Sequence, residues 1–118
     1  MRPDWFERYL AILGVEPEPP SLQALSALVE AQLTRIPFEN LSKMFLRRRE
    51  GAETLPTLEA YLDWIERFRL GGTCYPTNGY FNLLLRFLDY DVRLYGASIA
   101  EPDVHLEASA FQINCNLP

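Results

Sequence analysis

Apolar residues recur at helical spacing along most of the chain, and only near its end does the period fall to two. Trp5, Phe6, Tyr9, Leu10 and Leu13 share one face, so Pro3 to Leu13 reads as an amphipathic helix closed by Gly14. Pro17-Glu18-Pro19-Pro20 is a stiff connector. Ser21 is placed to cap a second helix whose Leu22, Leu25, Leu28, Val29 and Leu33 recur until Pro37 forbids continuation, which puts its end near Arg35. Lys43 to Glu53 has no clean period, carries Arg47-Arg48-Arg49, and reads as a solvated loop. Thr57 then caps a helix with Leu58, Tyr61, Leu62, Ile65 and Phe68 inward.

After Gly71-Gly72, the residues Tyr80, Phe81, Leu84, Leu85, Phe87 and Leu88 form an apolar stripe too wide for a surface helix. The helix that starts at Cys74 is therefore expected at the centre of the fold. From Asp91 the pattern changes. Val92, Leu94 and Tyr95 lead into Gly96, and Val104 to Ile113 alternates, with His105, Glu107, Ser109, Phe111 and Ile113 on one face. Both runs are predicted strands, and Asn114-Cys115-Asn116 a hairpin turn.

Composition narrows the function. With 118 residues, 48% of them hydrophobic, the chain can bury a core. A net charge of -5 argues against a nucleic-acid binder. The absence of a long apolar run argues against a membrane span, and a cytoplasmic location is expected. Cys74 and Cys115 lack the paired spacing of a zinc site and cannot form a disulfide framework, so reduced thiols and no metal are expected.

The chemistry concentrates at two places. Gly71-Gly72-Thr73 is expected to turn tightly, approach a substrate closely, and deliver Cys74 to a helix N-terminus, where backbone N–H groups favour a thiolate. His105 is the chain's one histidine, and it is the base such a cysteine needs. The plainer alternatives are a buried thiol and a satisfied strand histidine. For Phe38 the plainer alternative is core packing.

Gly71-Gly72-Thr73-Cys74-Tyr75, the spaced Asn78, Arg35-Ile36-Pro37-Phe38-Glu39-Asn40-Leu41 and Asp103-Val104-His105-Leu106 together resemble the arylamine N-acetyltransferase family, in the same order. The resemblance runs from about Trp5 to Ile113. It implies an α+β fold: a helical bundle over residues 1–88 carrying Cys74, then the first strands of an antiparallel β-barrel over 89–118 carrying His105. The active-site arrangement would be cysteine-protease-like, and the chain would be an N-terminal, truncated portion.

The resemblance further implies that Cys74 takes an acetyl group from acetyl-CoA as a thioester and passes it to an arylamine, arylhydrazine or N-hydroxyarylamine. Acetyl-CoA would be a co-substrate, with no bound cofactor. Phe38 and Tyr75 would line the acceptor pocket, and Glu39, Asn40, Gly71, Gly72 and Asn78 would support it. The sequence departs from the family at Leu70, where an arginine that could pair with Glu39 is usual, and at Pro76, where glutamate is common. The family's catalytic aspartate falls after Pro118; Asp103 is too close to His105 to replace it, and Glu107 is a poor substitute. An inactive truncated chain is therefore expected. A non-catalytic binding relic and another type of Cys-His enzyme are the rival readings, and the sequence leaves the oligomeric state open.

Overall fold

The computed structural model describes residues 2–50 and 55–96, which form five helices: α1 (Asp4–Leu13), α2 (Leu22–Arg35), α3 (Leu41–Glu50), α4 (Leu58–Phe68) and α5 (Cys74–Phe87). The predicted strand Val104 to Ile113, with His105, Glu107 and Cys115, lies outside the described residues. Residues 91–96 form no helix and have no strand partner among the described residues, so the predicted strand through Val92, Leu94 and Tyr95 is not seen there.

Local signals set most boundaries. Gly14 ends α1 in the left-handed region at φ 69°, which a side chain would disfavour, and its N–H caps Leu10 and Ala11. Ser21 Oγ accepts the N–H of Ala24 at 3.0 Å, and Thr57 Oγ1 accepts that of Ala60 at 3.1 Å, so each satisfies an orphan donor of a first turn. The core joins Phe6, Tyr9, Leu10 and Leu13 of α1 to Leu28 and Ala31 of α2, Tyr61, Leu62 and Ile65 of α4, and Tyr80, Leu84 and Leu85 of α5. Helix α1 packs on α2 and α4. At its rim Arg8 holds Glu59 at 2.8 Å and Glu66 at 2.5 Å. No helix among the described residues is long and apolar enough to cross a membrane.

Three further expectations fail here, two of them for a tertiary reason. Lys43 to Glu50 is helical and not a loop. Its first turn is held by the Glu39 carboxylate, Ser42 and Leu46 are buried on it, and Phe45 meets Trp64 of α4 in an edge-to-face contact at 5.8 Å. Helix α2 buries Ala24, Leu28, Ala31 and Gln32, leaving Leu22 and Leu33 exposed, because its small residues allow closer packing than its leucines. Phe68 is 58% exposed, since α4 ends beneath it with Arg69 left-handed at φ 56°.

Candidate active site

Pro37 stops α2 and sends Phe38 to Asn40 alongside the loop between α4 and α5. Phe38 pairs with Gly72 in a single parallel bridge. Gly72 donates its N–H to Pro37 O at 3.3 Å, and Glu39 donates its own to Gly72 O at 3.1 Å. Neither glycine of this loop has a positive φ; among the described glycines that conformation belongs to Gly14 alone. The expected tight glycine turn is therefore supplied by Arg69 instead. Gly71 is needed for closeness: a Cβ there would lie 1.8 Å from Pro37 O.

The Glu39 side chain straps the same two segments from the other direction. Oε1 accepts the Gly71 N–H at 2.9 Å, and Oε2 accepts the Ser42 N–H at 2.8 Å. One carboxylate thus caps α3 and holds the loop before Cys74, doing with backbone donors what an ion pair to an arginine at position 70 would otherwise do. Burial pushes the Glu39 carboxyl up, but the donors from Ser42, Gly71 and Leu41 outweigh it and hold the group below its ordinary value. Asn40 is exposed and offers its backbone carbonyl to Met44 N–H at 3.0 Å.

A depressed folded-state pKa stabilises the protein above the unfolded-state value, and that stabilisation is lost as pH falls through the folded-state value. Glu39→Gln is expected to cost about 1–2 kcal/mol at neutral pH. The gap between wild type and variant should narrow below the ordinary glutamate range, about pH 4.3. Urea midpoints at pH 7 and pH 3.5 check this; an equal gap at both would mean that the charge of Glu39 contributes nothing.

Cys74 is the first residue of α5 and is exposed. Pro76 has no N–H to satisfy, which makes it acceptable in a first turn, and its ring packs toward Gly72. Thr77 donates its N–H to Thr73 O at 3.2 Å and its hydroxyl to the same oxygen at 2.7 Å. Among the described residues the N–H groups of Cys74 and Tyr75 have no hydrogen-bond acceptor, and they lie beside the thiol. Asn78 is exposed one turn on from Cys74, and Tyr75 is half-buried. Phe38 is 75% exposed. The structure thus brings Phe38, Glu39, Gly71, Gly72, Cys74 and Tyr75 to one locus, while His105 lies outside the described residues.

Gln32 was not singled out in the sequence. Buried on α2, it accepts the Tyr9 hydroxyl at 2.9 Å and donates to Thr77 O at 3.5 Å, linking the core to the first turn of α5. Tyr61 Oη is buried beside this pair without a well-formed bond, and burial pushes its pKa up to about 12. The signal was available: Ala24, Leu28, Ala31 and Gln32 repeat at three and four, so a polar side chain continues a buried face.

A family model described as N-acetyltransferase matches residues 21–111. The pineal gland arylamine N-acetyltransferase isozyme NAT-3 of Gallus gallus is 33% identical over 87 residues, 73% of this chain and 28% of that protein. The chain therefore spans little more than a quarter of that relative's length. No solved structure matches.

Proposed function

The chain belongs to the arylamine N-acetyltransferase family, and from that premise we propose that it carries the nucleophile half of a ping-pong acetyl transfer from acetyl-CoA to an arylamine, arylhydrazine or N-hydroxyarylamine. The observation that carries this reading is an exposed Cys74 at the N-terminus of α5, set by a doubly strapped loop next to an exposed aromatic ring at Phe38.

In the first half-reaction the Cys74 thiol gives its proton to His105 while Sγ attacks the acetyl carbonyl carbon of acetyl-CoA. The oxyanion that forms is met by the N–H groups of Cys74 and Tyr75, donors that Pro76 and Thr77 do not compete for. Collapse breaks the bond to the CoA sulfur, which leaves as the thiol with the proton from His105. In the second half-reaction the amine nitrogen attacks the thioester, passes a proton through His105 to Cys74 Sγ, and leaves as the N-acetyl product. An acidic partner for His105 on a following strand belongs to this scheme, and the scheme places no metal in the reaction.

The test is stepwise. With an acidic partner for His105 in place, incubation with acetyl-CoA should add one acetyl group to the intact mass, and subsequent addition of an arylamine should remove it with stoichiometric formation of acetylated amine. An adduct that the amine does not discharge would leave only the first half-reaction standing. Phe38→Ala should raise the apparent KM for the arylamine about tenfold or more while leaving thioester formation and thermal stability nearly unchanged, because the ring is exposed. Loss of several degrees in Tm with an unchanged KM would return Phe38 to a structural role.

A further inference from the structure

Helix α2 otherwise buries Ala24, Leu28 and Ala31, and a glutamine on that face is costly unless its bonds are made. The bonds of Gln32 therefore say why it is there. Oε1 accepts the Tyr9 hydroxyl at 2.9 Å, and Nε2 donates to Thr77 O at 3.5 Å. Thr77 O can only accept, so the amide must face it with its nitrogen; Oε1 then faces Tyr9, whose hydroxyl must donate. A leucine of similar size makes neither bond, and an ionised glutamate sets oxygen against oxygen at Thr77. The relay thus has one direction, from Tyr9 through Gln32 to Thr77. It ends at the hub of the turn that carries Cys74. Thr77 donates its N–H at 3.2 Å and its hydroxyl at 2.7 Å to Thr73 O, and the hydroxyl is also 3.4 Å from Cys74 O. The Tyr61 ring lies against the same turn, since a Cβ on Gly72 would be 3.5 Å from its Cε1.

We infer that Gln32 is a positioning residue for acyl transfer: through Thr77 it fixes the first turn of α5 so that the N–H groups of Cys74 and Tyr75 converge on the oxyanion. The inference rests on the acetyl-transfer reading above and adds to it a buried residue that meets no substrate. Helix α2 and the segment that follows it thus set the site twice. Pro37 and Glu39 hold the loop before Cys74, and Gln32 holds the turn after it. Both contacts come from one rigid stretch of chain, so the loop and the helix start keep a fixed relation to each other. That relation matters because donors aimed at a developing oxyanion act only at close range, and a misplacement of about 1 Å can lower a rate about 10²-fold.

The experiment uses the whole chain and two reagents: p-nitrophenyl acetate, whose attack passes through an oxyanion, and iodoacetamide, whose displacement at carbon makes none. Gln32→Leu should lower acetylation of Cys74 about tenfold and its alkylation less than about threefold, both followed by peptide mass so that Cys115 is read separately. Leu28→Ala, one turn earlier on the same buried face, controls for stability: it should lower Tm at least as much and leave the ratio of the two rates within about twofold of wild type. Thr77→Val removes the hydroxyl end of the relay at a half-buried position and should reproduce the selective loss; in the double variant the two losses should not multiply. Thr77→Val carries the test alone if Gln32→Leu does not fold. Amide exchange at Thr77 should quicken about tenfold relative to Leu84 in Gln32→Leu. Equal losses with both reagents, a loss shared by Leu28→Ala, losses that multiply, or unchanged exchange at Thr77 would each overturn the inference. If wild-type Cys74 is alkylated but acetylated by neither p-nitrophenyl acetate nor acetyl-CoA, the acetyl-transfer reading fails, and exchange at Thr77 still decides whether Gln32 holds the turn.

Discussion

Cys74→Ser is expected to abolish the acetyl adduct, with a rate at least about 10³-fold below wild type, and to leave the fold untouched. The fold should survive because Cys74 is exposed and its backbone position at the start of α5 suits serine equally. Chemistry should not survive. A hydroxyl at this position lacks the intrinsic nucleophilicity of sulfur, and the surrounding N–H groups stabilise the oxyanion but cannot supply a better attacking atom. Intact mass after incubation with acetyl-CoA, paired with circular dichroism, separates the two effects. An adduct that persists in the variant would move the acyl group to another residue and remove the reason for placing the site here.

How far the sequence reached depended on the range of the interactions involved. The ends of α1, α2 and α4 were legible because Gly14, Ser21, Pro37 and Thr57 act within a turn of themselves. Helix α3 was not, because its support comes from elsewhere: a carboxylate shared with Gly71, 32 residues away from Glu39, and the Trp64 ring of α4. Without those partners Lys43 to Glu50 is a polar, arginine-rich run with no period to read. The outer leucines of α2 misled for a related reason. Leu22 and Leu33 fit the helical period as well as Leu28 does, and only packing decides that the alanine side faces inward.

At the site, residue types were legible and reasons were less so. Cys74 at a helix start follows from Gly71-Gly72 and the apolar stripe after it, all within local range. The two hydrogen bonds accepted by Glu39 and the Phe38–Gly72 bridge need two segments distant in sequence, which no local pattern encodes. Motif order carried that information indirectly, as a family resemblance. Leu70, where the resemblance leads one to expect an arginine, is then intelligible, since the Glu39 oxygens are occupied by backbone donors.

The glycine pair puts this difference to a sharp test. Gly71→Ala is expected to destabilise the protein by about 3 kcal/mol, roughly 12 °C in Tm, and to lower acetylation of Cys74 about 10²-fold or more. Backbone conformation is not the cause, because Gly71 does not occupy the left-handed region. The cause is contact with main chain: a Cβ would sit 1.8 Å from Pro37 O and 2.9 Å from Pro37 C, and backbone cannot swing aside as a side chain can. Moving the two segments apart stretches three bonds at once, Gly72 N–H to Pro37 O, Glu39 N–H to Gly72 O and Gly71 N–H to Glu39 Oε1. Each contributes about 1 kcal/mol net, and all three hold the loop that leads into α5. Gly72→Ala is the internal control. Its Cβ would meet the Pro76 ring at 2.8 Å, a side chain with some room to shift, so a cost of about 1–2 kcal/mol with most of the acetylation retained is expected. Thermal melts and adduct formation on the two variants measure both quantities. If Gly71→Ala proved no more harmful than Gly72→Ala, the close approach at Pro37 would not be what places Cys74, and the strap described here would have to be sought elsewhere in the loop.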